Sequence, residues 1–140
     1  MRILGIDYGT KRIGLAISDP SEIMAQPLAT IDHKDDNGSI KIIADVIEEY
    51  SVGLVVVGLP ISMSGEIGLQ AQSVIEFINE FKRQNPVPVE TWDERLSTSM
   101  AQKALLDAKT KKSKKKGIID KVAAAIILQG YLDSKRTGEM

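Results

Sequence analysis

Carboxylates stand at the ends of apolar segments in three places along the chain. Asp7 closes the first apolar run, Asp93 and Glu94 close a later run, and Asp120 lies near the start of the last one. Crowded carboxylates repel one another, and hard cations between them relieve that repulsion. Because the chain has no cysteine and only one histidine, oxygen ligation favours Mg²⁺ or Mn²⁺ over zinc. Two such ions can activate a water and stabilise the leaving oxygen in phosphodiester cleavage.

Each of these acids also has a purely structural interpretation. Asp7 is compatible with a turn residue, Glu94 with an ion pair to Arg95, and Asp120 with a first-turn acid that interacts favourably with the helix macrodipole. Side chains alternate along a strand, so Asp93 and Glu94 point to opposite faces and only one of them serves a site. Alternation does not choose between them, and Asp93 remains the alternative to Glu94.

The apolar patterns predict the elements that position these acids. Branched apolar runs indicate strands, and apolar spacing of three and four residues indicates helices, the first of them with Ser39 as its N-cap. The run at 54–58 is apolar without alternation, which is typical of a strand covered on both faces. The predicted strands are 3–7, 13–18, 26–31, 54–58 and 87–92, and the predicted helices are 39–50, 66–82, 97–107 and 118–132.

This order, β-β-β-α-β-α-β-α-α, predicts an α/β fold. A three-stranded meander followed by crossovers gives a mixed five-stranded sheet with helices on both faces. The 140 residues suffice for one buried core, and without a repeat or a linker we expect a single domain over 1–140. If the first and last strands are neighbours, Asp7 and Glu94 meet at one edge of the sheet. The last helix, packed closely through its alanines, would bring Asp120 to them.

Composition narrows the class of protein. Apolar residues make up 43% and charged residues 26%, which is ordinary for a globular domain. No apolar stretch approaches the ~20 residues that cross a bilayer, and the first residues do not resemble a signal peptide. Without cysteine there is no disulfide framework, thiolate metal site or cysteine nucleophile. We therefore expect a cytoplasmic location and no membrane partner.

The basic residues are unevenly distributed. Segment 109–116 contains six of the 18 basic residues, and without those six the net charge of −1 would be −7. A basic arm on an acidic body predicts a polyanionic partner at one edge, although a solvated lysine loop without a partner is the alternative. The candidate phosphate contacts are Lys109, Lys111, Lys112, Lys114, Lys115 and Lys116, with Lys11 and Arg95 added on position alone.

Other residue types offer less. His33 lies in a polar loop with no second histidine, and we predict a surface residue. Trp92, beside the acid pair, is predicted to lie in the core and not to form a base-stacking platform. The sequence has no P-loop, no G-x-G-x-x-G motif and no Ser-His-Asp set.

Four segments in order carry a resemblance to a known family. The segments IDYGTKRIGLAISD, VVVGLP, WDERLSTSMA and IDKVAAAIILQGYL span essentially the whole chain. In them the sequence resembles the YqgF (RuvX) family of pre-16S rRNA nucleases, once described as Holliday junction resolvases. The resemblance implies an RNase H-like, RuvC-related fold, in agreement with the predicted order of elements.

The resemblance also implies a set of site residues. Asp7 matches the first-strand aspartate that binds metal, Glu94 of the D-E-R motif matches the second carboxylate, and Asp120 matches the third. Related nucleases carry an acid at the end of the fourth strand, whereas this strand ends at Gly58 and is followed by Leu59 and Pro60.

The implied function is metal-dependent hydrolysis of phosphodiester bonds in the 5′-end maturation of 16S rRNA in the bacterial cytoplasm. An RNA partner is then expected ahead of a DNA junction, and a monomer or weak homodimer as the assembly. The alternatives are a Holliday junction resolvase and a non-catalytic RNA-binding ribosome-assembly factor. Actin-like and sugar-kinase ATPases share Asp-x-Gly-Thr after a strand, but they need two domains, and 140 residues supply one.

Overall fold

The computed structural model describes residues 1–62, 64–97 and 116–137. The third predicted helix therefore lies almost wholly outside the described residues. In chain order the described elements are β1 (Arg2–Tyr8), β2 (Arg12–Ser18), β3 (Ala25–Asp32), α1 (Asp36–Tyr50), β4 (Val52–Leu59), α2 (Leu69–Gln84), β5 (Val89–Asp93), the single turn α3 (Glu94–Ser97) and α4 (Lys116–Thr137). No helix among these residues is long and apolar enough to span a membrane.

The described strands form one mixed five-stranded sheet in the order β3-β2-β1-β4-β5. The meander β1-β2-β3 is antiparallel, while β4 pairs in parallel with both β1 and β5. This confirms the predicted sheet but corrects one expectation, because β1 and β5 are not neighbours. The buried valines of β4 are typical of a central parallel strand, whereas β5 exposes part of its length and forms the edge.

Helices cover both faces of this sheet, as predicted. Alternation along β1 sends Leu4 and Ile6 into a core that includes Phe77, beneath α1 and α2. On the opposite face Ile3 packs in a second core with Leu128 of α4. The two faces at the end of β1 therefore have different surroundings.

Helix α4 lies directly on the backbone of β1 and β2. A Cβ atom on Gly5 would lie 2.8 Å from Cβ of Leu128, and one on Gly14 would overlap the carbonyl oxygen of Asp120. Ala124 between these contacts is fully buried. The two glycines thus allow the close approach that places the first turns of α4 over β2.

Two helix starts differ from their predicted positions. The N-cap of α1 is Asp35, whose side chain accepts a hydrogen bond from the backbone N–H of Gly38 at 2.7 Å. Ser39, the predicted cap, is buried instead. Helix α2 begins three residues late, after a hydrogen bond from the N–H of Gly65 (φ 87°) to the carbonyl of Ser62 and one from the N–H of Ser62 to the carbonyl of Glu66.

Candidate active site

Asp7 lies near the end of β1, on the face that α4 covers. Burial, and after it the negative charges of Glu94 and Asp120, together raise the pKa of its carboxyl from 3.8 to about 7. Interaction with both acids means that the three predicted carboxylates lie at one edge of the sheet. The structure therefore brings together residues that are separated by up to 113 positions in the sequence.

Glu94 reaches this edge across β4, through the space that Gly58 leaves open. A Cβ atom on Gly58 would lie 3.1 Å from Oε2 of Glu94 and 2.6 Å from Cδ1 of Ile127. The carboxylate of Glu94 thus occupies the place of a side chain at the end of β4, although it comes from the residue that follows β5. This arrangement accounts for the missing acid at the end of the fourth strand.

Asp93, the acid next to Glu94, is held in an ion pair with Arg95. The guanidinium of Arg95 donates from Nη2 to Oδ2 of Asp93 at 2.6 Å and from Nε at 3.0 Å. These hydrogen bonds hold the pKa of Asp93 below its usual value. Of the two neighbouring acids, Glu94 is the one whose charge acts on Asp7. Arg95 pairs with Asp93 and also donates to the carbonyl of Ser62 at 3.3 Å.

Asp120 in the first turns of α4 forms an ion pair that we did not predict. Nε of Arg12 donates to Oδ2 of Asp120 at 2.7 Å, with side chains that are 32% and 25% exposed. Alternation along β2 could have revealed this partner, because Arg12 faces the same side as Gly14, which lies under Asp120. The neighbouring Lys11, which we predicted as a phosphate contact, is exposed in the β1–β2 turn.

The donor set fits a hard divalent cation in its chemistry. All three side chains offer carboxylate oxygens, and a cation beside Asp7 would relieve the repulsion that raises its pKa. In the described part of the chain, however, no three acidic or histidine side chains are grouped closely enough to hold one ion together. The carboxylate of Asp120 is instead directed to Arg12.

His33 is not the surface residue that its polar loop predicts. Its side chain is only 7% exposed. Nδ1 lies 2.6 Å from Oγ of Ser39, and Nε2 lies 3.0 Å from the hydroxyl of Tyr8 and 3.1 Å from Oδ1 of Asp36. The prediction was wrong because Tyr8 of β1 and the first turn of α1 close over the loop.

The remaining predicted residues fall into two groups. Trp92 is a core residue as predicted, buried in the apolar cluster beneath α4 and 6.0 Å from the ring of Tyr131. In the lysine run, Lys116 is the first residue of α4 and its side chain lies outside the described part. The other members also lie outside the described residues, namely Lys109, Lys111, Lys112, Lys114 and Lys115.

Comparison with known proteins gives close relatives over nearly the whole chain. The sequence model of a family described as "RuvX: Holliday junction resolvase" matches residues 1–134. A protein of Clostridium acetobutylicum named "Putative pre-16S rRNA nuclease" is 47% identical over 134 residues, which cover 96% of this chain and 99% of that protein. A protein of the same name from Desulforamulus reducens is also 47% identical, over 96% and 98% of the two chains.

Solved structures with low identity share the fold. RuvC of Thermus thermophilus, in complex with a Holliday junction substrate, superimposes with a TM-score of 0.66 at 15% identity over 99% of this chain and 96% of that chain. Fowlpox virus resolvase with its junction DNA gives a TM-score of 0.55 at 16% identity over 96% and 99%. The fold is the predicted RNase H-like, RuvC-related one. Given the match over residues 1–134 and relatives at 47% identity, the chain belongs to the RuvX family.

Proposed function

We propose that this protein is a metal-dependent nuclease that hydrolyses a phosphodiester bond in the 5′-end maturation of the 16S rRNA precursor. The observation that carries the proposal is the partly buried Asp7, whose pKa of about 7 reflects desolvation and the charges of Glu94 and Asp120. Such a strongly shifted acid is typical of a functional site. The name shared by the two bacterial relatives supports the rRNA substrate, and it favours a cytoplasmic location.

Asp7, Glu94 and Asp120 are the residues that would hold Mg²⁺ or Mn²⁺, as a two-ion site in our proposal. A bound ion supplies a Lewis acid that activates water and offsets negative charge on the phosphodiester. Asp7 would contribute as a carboxylate, because a neighbouring cation lowers its pKa. Asp120 would bind the cation after its carboxylate releases the guanidinium of Arg12.

Arg12 is a further candidate for holding substrate at this edge. Among the described residues its guanidinium uses only Nε, toward Asp120. The two terminal nitrogens are therefore available for a phosphate oxygen, which a guanidinium binds well. We add Arg12 to the proposed phosphate contacts Lys11 and Arg95. Arg95 already pairs with Asp93, so it would have to bind a phosphate in addition to that carboxylate.

The lysines of segment 109–116 are proposed to hold the RNA backbone. Replacing all six by Gln should weaken RNA binding and make it less sensitive to salt. For a single strand, each lost phosphate contact reduces the magnitude of the slope of log K against log salt by ~0.7. Binding measured by fluorescence anisotropy from low to high salt tests this. A slope equal to that of the unmodified protein would contradict the proposal.

The second candidate function is cleavage of four-way DNA junctions. The description of the matching family favours it, and the same three carboxylates would serve it. A non-catalytic role in ribosome assembly is the third, and it predicts RNA binding without cleavage.

One experiment separates these candidates. The purified protein is incubated with a 5′-extended 16S precursor and, separately, with a four-way DNA junction, in Mg²⁺, in Mn²⁺ and in EDTA. We expect metal-dependent cleavage of the RNA that Asp7→Asn abolishes. Symmetric nicking of the junction without RNA cleavage would support the resolvase, and RNA cleavage that persists in Asp7→Asn would contradict the proposed site.

A further inference from the structure

A pocket lies at the end of β1, on the face opposite to Asp7. This pocket of about 360 Å³ is lined by Tyr8, Thr10, Leu69, Gln70 and Ser73. Its volume falls within the ~300–1,000 Å³ of small-molecule sites. Consecutive side chains of a strand point to opposite faces of the sheet. Asp7 therefore belongs to the acidic site on one face, and Tyr8 lines this pocket on the other face of the same strand end.

The aromatic wall of the pocket is held rigidly. The hydroxyl of Tyr8 donates to Oδ1 of Asp36 at 2.9 Å and lies 3.0 Å from Nε2 of His33. Its ring packs 4.7 Å from the ring of Phe77, centroid to centroid. The hydroxyl is thus turned into the protein, and the position of the ring does not depend on a ligand.

The opposite wall presents apolar surface and polar groups to solvent. Leu69, the first residue of α2, is 90% exposed, the largest exposed fraction among the large apolar residues described. The amide of Gln70 and the hydroxyl of Thr10 make no hydrogen bond within the described residues, while Ser73 donates to the carbonyl of Leu69 at 3.2 Å. An exposed leucine beside an amide and a hydroxyl gives both a flat apolar contact and hydrogen-bonding capacity.

The charge of the lining narrows the class of ligand. None of the five lining residues is charged, so the pocket has no side chain to neutralise a phosphate or to ligate a metal ion. A neutral, planar group with polar edges matches the rigid aromatic ring, the leucine and the amide. Unpaired bases are recognised by such combinations of stacking and edge hydrogen bonds.

We propose that this pocket binds an unpaired base of the strand whose phosphate lies at Asp7. The inference rests on the proposed function, because it takes the acidic site as the place of cleavage. A strand that crosses the end of β1 would place its scissile phosphate on the α4 face and a neighbouring base on the α2 face. The pocket would thereby position the strand at the site of cleavage.

The test combines protein variants with an altered RNA. A 5′-extended 16S precursor fragment receives a single abasic nucleotide, moved one position at a time through the segment around the cleavage site. Binding is measured in the Asp7→Asn background, which prevents cleavage, with and without the added change Leu69→Ala/Gln70→Ala. Both residues are exposed, so these variants should fold normally. Gln72→Ala is the matched control, since Gln72 is exposed on the same helix but does not line the pocket.

We expect one position beside the cleavage site at which loss of the base weakens RNA binding about tenfold, in line with the energy of base stacking on side chains. This effect should be seen in Asp7→Asn alone and in Asp7→Asn with Gln72→Ala. In Leu69→Ala/Gln70→Ala the same abasic RNA should bind no more weakly than the intact RNA. The base-binding pocket would be contradicted if no abasic position weakened binding, or if the weaker binding persisted in Leu69→Ala/Gln70→Ala. RNA cleavage by the wild type would leave the proposed function intact in either case. A wild-type protein that neither binds nor cleaves the RNA would overturn both.

Discussion

Two polar clusters share the end of β1 and differ in almost every electrostatic respect. On the α2 face, Tyr8, His33, Asp36 and Ser39 are connected by hydrogen bonds of 2.6–3.0 Å. On the α4 face, Asp7 lies beside two further carboxylates, and burial together with their charges raises its pKa to about 7. Two adjacent residues of one strand thus belong to different clusters: Tyr8 to one of complementary hydrogen-bonding groups, and Asp7 to one of like charges.

The difference shows which cluster is electrostatically complete within the fold and which one is suited to bind a cation. Buried polar groups that are fully paired stabilise a structure, whereas crowded like charges destabilise it unless an external charge compensates them. The Tyr8 cluster needs nothing further. The Asp7 cluster is one that a cation would stabilise, which is what a metal-dependent site requires.

The largest expected effect comes from Asp7→Asn. Because the pKa of Asp7 is higher in the folded chain than its ordinary 3.8, folding favours the protonated acid, and stability falls as the pH rises from about 4 to 7. The neutral amide should remove this cost, which is roughly 4 kcal/mol at pH 8 for a shift of this size. We expect a variant without cleavage activity that is more stable than the wild type in EDTA.

Urea unfolding at pH 4 and pH 8 provides the measurement. The stability gap between Asp7→Asn and the wild type should widen with pH in EDTA and should narrow when Mg²⁺ is added, since only the wild type binds the ion strongly. A gap that is the same at both pH values would show that Asp7 is not under electrostatic strain.

His33→Ala tests the other cluster. Removing the imidazole leaves the buried hydroxyl of Ser39 without this partner, and we expect a loss of ~1–3 kcal/mol in the free energy of unfolding. Metal-dependent cleavage by the folded protein should persist, because Asp36 and Phe77 still hold Tyr8 in place, and His33→Gln should recover part of the stability. A loss of cleavage larger than the loss of folded protein would join the two clusters functionally and remove the contrast.

Gly58→Ala tests how the acidic cluster is assembled. The added methyl group would meet Glu94 and Ile127, so we expect a moderate fall in cleavage and ~1–3 kcal/mol of overpacking cost. Gly53→Ala in the same strand is the control, because the three atoms nearest to its methyl group all belong to the exposed side chain of Met1. Equal cleavage by the two variants would contradict a functional place for Glu94 over β4.

Arg12→Gln should have the smallest effect on stability. It removes the partner of Asp120 and so increases the excess of negative charge, but a partly exposed ion pair contributes only ~1 kcal/mol or less. We expect a small loss of stability in EDTA at pH 8 and tighter Mg²⁺ binding in a calorimetric titration, because Asp120 is released. Weaker Mg²⁺ binding would mean that Arg12 orients Asp120 and does not compete for it.

The sequence predicted the parts of this molecule that depend on local patterns. The order of the described elements, the two covered faces and the position of Asp7 near the end of β1 all follow from alternation and helical spacing. The place of β4 between β1 and β5 does not, because the lateral order of parallel strands depends on how crossovers pack. His33 and Arg12 were misjudged or missed for a related reason, since their partners Tyr8 and Asp120 lie 25 and 108 positions away.

The glycine at the end of β4 has a consequence for recognising distant nucleases of this fold. A search that requires an acid at the end of the fourth strand would reject this chain, although Glu94 brings a carboxylate beside Gly58 from just beyond β5. A more inclusive criterion would accept either an acid at that position or a glycine there together with an acid just beyond the adjacent edge strand. The space beside the end of the strand, and not a position in the sequence, would then define the second carboxylate.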